Sequence, residues 1–174
     1  RNNLLSNKQF GFLQGRSTIL QLLKALDNWV NILDKRNNSH KIDNIYMDFQ
    51  KAFDKVPHRR LLAKLKGYGL DETTLDWVKS FLTNRTHKVN GVMSEAAPMT
   101  SGIPQGPVLG PVLFIVFIND LPDVVQNTVY LFADDTKIFG LADNNKDTNS
   151  IQEDLNSLQK WSSDCLIRKC YPPD

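Results

Sequence analysis

Apolar side chains recur at helical spacing in four segments of the chain. In residues 19–33 they fall three or four positions apart, which is the period of an amphipathic helix. Residues 59–66 and 73–82 carry the same pattern. In the fourth segment, Ser150 and Glu153 match a capping box and precede an apolar stripe. The pattern therefore predicts four amphipathic helices, the last of them beginning near Ser150.

Shorter apolar runs of the β type lie between these helices. Residues 45–49 form one such run, and residues 129–140 form two runs that are joined across residues 133–135. The dipeptide Asn90-Gly91 is a strong hairpin signal. Strands and helices mixed in this order predict an α+β fold in which an antiparallel sheet is backed by helices.

Composition and charge exclude several classes of protein. The chain has 174 residues, of which 41% are hydrophobic and 23% charged, as in an ordinary folded domain. A formal net charge of +2 is too small to indicate a dedicated basic nucleic-acid-binding module. It does not exclude nucleic acid, because an acidic metal site cancels basic residues in the count.

Cysteine usage and the longest apolar run bear on the compartment. Cys165 and Cys170 form neither a disulfide framework nor a four-ligand zinc site. Since no signal peptide pattern is present, we expect an intracellular protein that is not secreted. Residues 112–118 are continuously apolar, which predicts a buried helix, but the run is too short to cross a membrane, so we expect no membrane partner.

Three acidic residues occupy positions that normally hold apolar ones. Asp48 lies inside the run 45–49, and Asp134 and Asp135 separate the two halves of the run 129–140. Buried carboxylates that have no partner cost several kcal/mol, so something must neutralise them. The ordinary explanations are a hairpin turn for the Asp-Asp pair and a nearby lysine for Asp48.

A second explanation covers all three residues together. If the Asp48 strand lies beside the Asp134-Asp135 hairpin, the three carboxylates converge, because cross-strand neighbours have Cβ atoms about 5 Å apart. Such oxygen ligands suit Mg²⁺ or Mn²⁺. Two ions about 3.5–4 Å apart can hold the attacking and leaving oxygens of a phosphoryl displacement. The spacing fits a polymerase or a nuclease equally well.

A series of sequence motifs distinguishes a polymerase from a nuclease. They are QFGFLQGRST at 9–18, MDFQKAFDKVPH at 47–58, TSGIPQG at 100–106 with VLGP at 108–111, INDL at 118–121 and FADD at 132–135. This series resembles the reverse transcriptase of non-LTR (LINE-like) retrotransposons, and most of all its jockey-like branch. The resemblance implies a palm with part of the fingers and an RNA-directed DNA polymerase that transfers nucleotides from dNTPs to a primer 3′-hydroxyl.

The resemblance also implies a set of metal ligands. In the first catalytic motif of the family, an Asp that binds two Mg²⁺ or Mn²⁺ ions corresponds to Asp48, and the Phe49 carbonyl assists it. Asp134 and Asp135 match the acidic pair on the family hairpin. These residues would perform two-metal nucleotidyl transfer on a DNA primer that is paired with an RNA template.

Further residues are implied to bind the dNTP or the template. Phe53 matches the aromatic residue that lies under the sugar and rejects a 2′-hydroxyl, although an ordinary core aromatic would also explain it. Gln105 and Gly106 match the loop that touches the incoming nucleotide. Ala133 is small, as a primer end packed against the turn requires. Arg16 would reach the triphosphate or the template from the fingers side.

The resemblance covers a partial domain within residues 1–174. It implies a fingers-side segment at 1–44, and a palm at 45–174 with a fingers-type insertion around 59–100. The thumb is absent, and the full-length element protein is expected to carry thumb and endonuclease regions. We therefore expect the isolated piece to be inactive or weakly active.

Two departures from the family pattern keep an alternative open. The family usually has a serine where Pro107 stands, and a second tryptophan where Cys165 stands. The alternative is an inactive retrotransposon-derived fragment, and a two-metal nuclease ranks third because it needs neither Gln105 nor Phe53.

Overall fold

The computed structural model describes residues 4–34, 40–83, 88–93, 99–106, 108–165 and 169–170. Its helices are α1 (Thr18–Asp34), α2 (His58–Gly67), α3 (Glu72–Leu82), α4 (Leu109–Ile118) and α5 (Asn145–Cys165), with a 3-10 turn at Leu121–Val124. Its strands are β1 (Ile42–Phe49), β2 (Lys88–Val89), β3 (Val92–Met93), β4 (Thr128–Phe132), β5 (Asp135–Leu141) and β6 (Lys169–Cys170). The predicted mixture of helices and strands is therefore confirmed.

A four-stranded sheet in the order β4-β5-β1-β6 organises the first of two compact units, residues 1–50 and 118–174. Every pairing in it is antiparallel, as the sequence predicts. In the central pair, Ile45 lies opposite Ile138 and Met47 lies opposite Thr136. The strand that was predicted around Asp48 therefore lies beside the strand that follows the Asp134-Asp135 pair.

Helices cover both faces of this sheet. On one face, the Phe49 ring of β1 contacts Trp161 of α5, with 6.0 Å between the ring centroids. On the other face, Phe10, Tyr130 and Phe139 form a core cluster with Ala25 of α1. Fully buried Leu131 and Ile138 also belong to the core of this unit. The prediction of a sheet backed by helices is confirmed.

Helix α1 buries the opposite face from the one that its sequence favours. An amphipathic helix ordinarily buries its apolar stripe. In α1 the buried residues are Gln21 and Ala25. Six of its large apolar side chains instead are exposed, namely Ile19, Leu20, Leu22, Leu23, Leu26 and Val30. Trp29 is half-buried and packs against the core cluster. The helix was predicted correctly from its period, but the period does not identify its buried face.

Helix α5 begins earlier than the Ser150-Glu153 match predicts. It starts at Asn145, and the Asn144 carboxamide oxygen accepts hydrogen bonds from the backbone N–H groups of Lys146 and Asp147. In return, the Asp147 carboxylate accepts a bond from the backbone N–H of Asp143, at 3.3 Å. The prediction of the start was wrong because a polar loop hid this earlier cap.

The second unit spans Lys51–Phe117. Helices α2 and α3 pack against each other, and the Asp71 side chain caps α3 by accepting a bond from the Thr74 N–H, at 3.0 Å. The predicted hairpin is confirmed, since β2 and β3 flank Asn90 and Gly91, whose φ angles are 50° and 85°. The assignment of these regions to fingers and palm stays a prediction.

The apolar run 112–118 lies in α4, as predicted, and Phe114, Phe117 and Ile118 are completely buried, whereas Val112 is exposed. No helix among the described residues combines the length and the apolar character that a membrane crossing requires.

A buried carboxylate holds the segment that leads into β4. Asp154 is 1% exposed, and its oxygens accept bonds from the N–H groups of Gln126 at 2.7 Å and of Asn127 at 2.9 Å. A third bond comes from the Asn127 side chain, at 2.8 Å. This one side chain of α5 therefore fixes where β4 begins.

We expect Asp154→Ala to lower the free energy of unfolding by about 1–3 kcal/mol, because two partly buried N–H groups lose their acceptor. Urea unfolding followed by circular dichroism measures the change. The control is Glu153→Ala, an exposed neighbour on the same helix whose removal should change stability by no more than about 0.5 kcal/mol. Equal losses for the two variants would contradict this role of Asp154.

Candidate active site

The pairing of β1 with β5 brings Asp48 and Asp135 to the same end of the sheet. Met47 pairs with Thr136 at that end, so Asp48 and Asp135 are the next residues of the two strands. Residues that face each other across an antiparallel pair project from the same face of the sheet. Both side chains are exposed.

Asp134 lies beside them, in the hairpin turn between β4 and β5. Phe132 pairs with Asp135, which leaves Ala133 and Asp134 as the two turn residues. Ala133 has a φ of 55°, in the left-handed region that favours glycine. The turn thus places an acidic residue next to the end of β1, as the sequence predicts, with a neighbour in an unfavourable conformation.

The three carboxylates influence one another electrostatically. Burial raises the pKa of Asp134 above its ordinary value, and the charges of Asp135 and Asp48 raise it further, although a backbone hydrogen bond opposes them. Burial and then the charge of Asp48 raise the pKa of Asp135. In the described part of the chain, no ion pair joins a lysine or arginine to any of the three. Among the residues that the structure describes, the site therefore concentrates negative charge without an ion-pair partner.

The same face of β5 carries a cation that the sequence reasoning missed. Lys137 is 6% exposed and lies two residues beyond Asp135, with its ammonium 4.8 Å from the centroid of the Tyr46 ring. A second aromatic ring, that of Trp29, is 5.9 Å away. Lys137 could have been found from the sequence, because it is a charged residue inside an apolar run, as Asp48 is.

The three aspartates lie close enough for the charge of Asp48 to raise the pKa of Asp134 and of Asp135, but their side chains are not arranged as a metal site. Over the residues that the structure describes, no group of three His, Cys, Asp or Glu side chains is arranged to hold a metal ion. The Phe49 side chain is buried, and its backbone pairs with Lys169 of β6. The role of these four residues as ligands stays a prediction.

Within the second unit, the structure brings Phe53 and the Gly/Pro-rich loop together. The Ile103 N–H donates to the Phe53 carbonyl at 2.9 Å. The Phe53 ring is half-buried and stacks on Phe114, with 4.3 Å between the centroids. Gln105 is exposed, and its amide nitrogen lies 3.5 Å from an Asp54 carboxylate oxygen.

Two glycines shape this loop. Gly106 is exposed and has a φ of 114°, which an L side chain rarely adopts. A Cβ at Gly110 would lie 2.4 Å from the Pro104 carbonyl oxygen, so only glycine fits there. The loop is therefore closely fitted at its base and exposed at Gln105 and Gly106. Pro107 lies outside the described residues.

Arg16 and Ala133 have partners within the first unit. The Arg16 guanidinium donates to the carbonyls of Ser6 and Gln9 and lies 5.5 Å from the Phe10 ring centroid. Ala133 is only 5% exposed and packs closely against Gly11. These contacts give both residues a structural role, and their contacts with template, triphosphate or primer stay predictions.

Comparison with known families gives one match over most of the chain. The family described as "Reverse transcriptase (RNA-dependent DNA polymerase)" matches residues 1–168. Apo telomerase from Candida tropicalis, truncated from its C-terminal domain, has a similar fold, with a TM-score of 0.54 at 11% identity. That likeness covers 96% of this chain and 37% of the telomerase chain.

Two curated relatives are similar in sequence, and both are from Drosophila melanogaster. The RNA-directed DNA polymerase from mobile element jockey is 34% identical over 171 residues, which cover 92% of this chain and 18% of the relative. The probable RNA-directed DNA polymerase from transposon BS is 31% identical over 182 residues, which cover 95% of this chain and 19% of the relative. The chain thus spans less than a fifth of the length of these relatives.

The raised pKa of Asp134 predicts that Asp134→Asn stabilises the metal-free chain at neutral pH. A carboxyl group whose pKa is raised by folding holds its proton more tightly in the folded state, so its ionisation destabilises the fold as the pH rises through that pKa. We expect a gain of up to about 1 kcal/mol at pH 7 for this partly exposed group. The gain should disappear near about pH 3, where the carboxyl is protonated in both states.

Thermal unfolding in the presence of a chelator measures this effect. Asp143→Asn is the opposite control, because a backbone N–H of Lys41 and then His40 hold the pKa of Asp143 below its ordinary value. That control should be less stable than the unaltered chain at neutral pH. A loss of stability in Asp134→Asn at neutral pH would show that the carboxylate cluster does not strain the fold.

Proposed function

This chain belongs to the reverse transcriptase family, and we propose that it carries the catalytic carboxylates of an RNA-directed DNA polymerase of the non-LTR retrotransposon type. The substrates would be an RNA template, a DNA primer and dNTPs. In the proposed reaction, the primer 3′-hydroxyl attacks the α-phosphorus of a dNTP, the bond to the next phosphate breaks, and pyrophosphate leaves.

The observation that carries this proposal is the cluster of three carboxylates at one end of an antiparallel sheet. Asp48 and Asp135 share a face by strand register, and Asp134 lies in the adjoining turn. The charge of Asp48 contributes to the raised pKa of Asp134 and of Asp135. A cluster of like charges with no ion pair costs stability, and a bound cation relieves that cost.

The donor set fits divalent magnesium or manganese. Carboxylate oxygens are the ligands that both ions prefer. Asp48 and Asp135 are exposed, so their rotamers are free to change when a cation is present. Asp48, Asp134 and Asp135 would hold the ions, with assistance from the Phe49 carbonyl. Two such ions would supply positive charge to the attacking and leaving oxygens.

Phe53 and the loop are proposed to bind the nucleotide. Stacking on Phe114 fixes the orientation of the Phe53 ring, and a fixed ring can exclude a 2′-hydroxyl by contact. Gln105 is exposed and has both donors and an acceptor, so it can contact a base or a sugar. At Gly106 the absence of a side chain lets a ligand approach the backbone closely.

Arg16 and Ala133 of the first unit are secondary candidates for contacts with the template or triphosphate and with the primer end, respectively. The two recorded bonds of the Arg16 side chain both use Nη1, and a guanidinium has further N–H donors for a phosphate. Ala133 would let a primer end approach the turn because its side chain is small. In both residues the internal contacts described above would coexist with the proposed ones.

We expect an element protein that contains this chain to extend a DNA primer on an RNA template in the presence of Mg²⁺. Asp48→Asn and Asp134→Asn should each lower the rate about a thousandfold or more, equivalent to about 4 kcal/mol of barrier. Asp43→Asn is the matched control, because Asp43 is an exposed aspartate of the same strand on the other face. Gel-based primer extension measures all three.

Synthesis that survives in both variants would contradict the proposed role of the carboxylates. Absence of synthesis by the unaltered protein, even with its thumb region present, would favour the inactive retrotransposon-derived fragment.

We expect Phe53→Ala to raise ribonucleotide incorporation relative to deoxyribonucleotide incorporation, because the ring no longer blocks the 2′-hydroxyl. A gain of about tenfold in the ratio of kcat/KM values corresponds to about 1.4 kcal/mol of lost discrimination. Unfolding of the same variant is measured in parallel, since loss of the stack on Phe114 lowers stability in any case. A lower stability with an unchanged ratio of ribonucleotide to deoxyribonucleotide incorporation would show that the role of Phe53 is purely structural.

A further inference from the structure

The turn that carries Asp134 is held in a conformation that its own sequence disfavours. Ala133 has a φ of 55°, and a residue with a Cβ pays a conformational cost in that region. At the first position of a two-residue hairpin turn, positive φ is usually supplied by asparagine, aspartate or glycine, not by alanine. Contacts from elsewhere in the chain must therefore stabilise this conformation.

The side chain of Gln9 supplies those contacts. Its carboxamide oxygen accepts hydrogen bonds from the backbone N–H groups of Ala133 at 2.9 Å and of Gly11 at 2.8 Å. Its amide nitrogen lies 3.3 Å from the Ala133 carbonyl oxygen and donates to it. Gln9 is only 1% exposed, so these bonds are shielded from water. One side chain thus binds both the N–H and the carbonyl of the strained residue.

The backbone around Gln9 is fixed to β4 as well. The Phe10 N–H donates to the Leu131 carbonyl at 2.8 Å, and the Leu131 N–H donates to the Lys8 carbonyl at 2.9 Å. On the other side, the Arg16 guanidinium donates to the Gln9 carbonyl. The position of the Gln9 side chain is therefore set by partners that lie outside the turn.

Gly11 completes this arrangement by allowing close approach. A Cβ placed on Gly11 would lie 2.4 Å from the Ala133 nitrogen, well inside any contact distance. A side chain at position 11 would force the turn and the 9–11 segment apart. The segment from Gln9 to Gly11 therefore packs directly against the backbone of Ala133.

We infer that Gln9 is a positioning residue that holds the Ala133-Asp134 turn so that Asp134 and Asp135 face the same site as Asp48. This inference rests on the proposed function for the role of the carboxylates. Gln9 touches neither substrate nor ion in this account, and it acts through the backbone of Ala133. No charge is involved, so the effect is independent of the ionisation of the aspartates.

Three variants of the 174-residue chain test the inference. Gln9→Met keeps the length of the side chain and removes its hydrogen bonds. Gln9→Asn keeps an uncharged carboxamide but shortens the side chain by one methylene, so that it no longer reaches Ala133, and it provides a second variant if Gln9→Met fails to fold. Gln21→Met is the matched control, a buried glutamine of α1 that undergoes the same chemical change.

Two quantities are measured on each variant, namely amide hydrogen exchange at Ala133 and the affinity for Mn²⁺ by isothermal titration calorimetry. In Gln9→Met we expect the Ala133 amide to exchange about tenfold faster, as loss of one buried hydrogen bond predicts. We expect Mn²⁺ to bind about tenfold more weakly, the lower limit for loss of a residue that orients ligands. Gln9→Asn should change both quantities in the same direction as Gln9→Met, and Gln21→Met should leave both quantities unchanged.

Unchanged exchange at Ala133 in Gln9→Met would overturn the inference, since the turn would not depend on Gln9. Faster exchange with unchanged Mn²⁺ affinity would also overturn it, because the turn would not position the ligands. If the unaltered chain binds no Mn²⁺ while Gln9→Met still exchanges faster, the proposed metal site is refuted. The role of Gln9 would then be confined to stabilising the turn.

Discussion

The hydrogen-bonded register between β1 and β5 is the constraint on which the site depends. Because Met47 pairs with Thr136, Asp48 falls opposite Asp135 on one face. A slip of one residue would turn Asp48 to the other face, where Phe49 packs on Trp161. The same slip would bring Phe49 to the exposed face. The register that packs Phe49 on Trp161 is therefore the same register that exposes Asp48 opposite Asp135.

The sequence was most informative where local pattern and tertiary structure agree. The period of α1, the Asn90-Gly91 turn and the apolar run around Asp48 each predicted an element correctly. Asp48, Asp134 and Asp135 were identified because a carboxylate in an apolar strand has no simple local explanation. The order of motifs then distinguished a polymerase from a nuclease, a distinction that carboxylate spacing alone cannot make.

Long-range contacts explain what the sequence did not reveal. Helix α1 packs Ala25 and Trp29 against the Phe10, Tyr130 and Phe139 rings, contacts with distant residues that the period of the helix does not reveal. The start of α5 depends on a mutual bond between Asn144 and Asp147. Gln9 is separated by more than a hundred residues from the turn that it holds, and its motif gave no sign of that partner. Such contacts have no local periodicity to detect.

The outward face of α1 has a consequence for handling the protein. Six large apolar side chains of one helix are exposed. Folded proteins seldom leave a large apolar surface exposed to solvent. At the concentrations used for crystallisation or NMR, such exposed apolar surface favours association of the molecules. Replacing Leu22 and Leu26 with lysine or glutamate would improve solubility without altering the residues that α1 buries, Gln21 and Ala25.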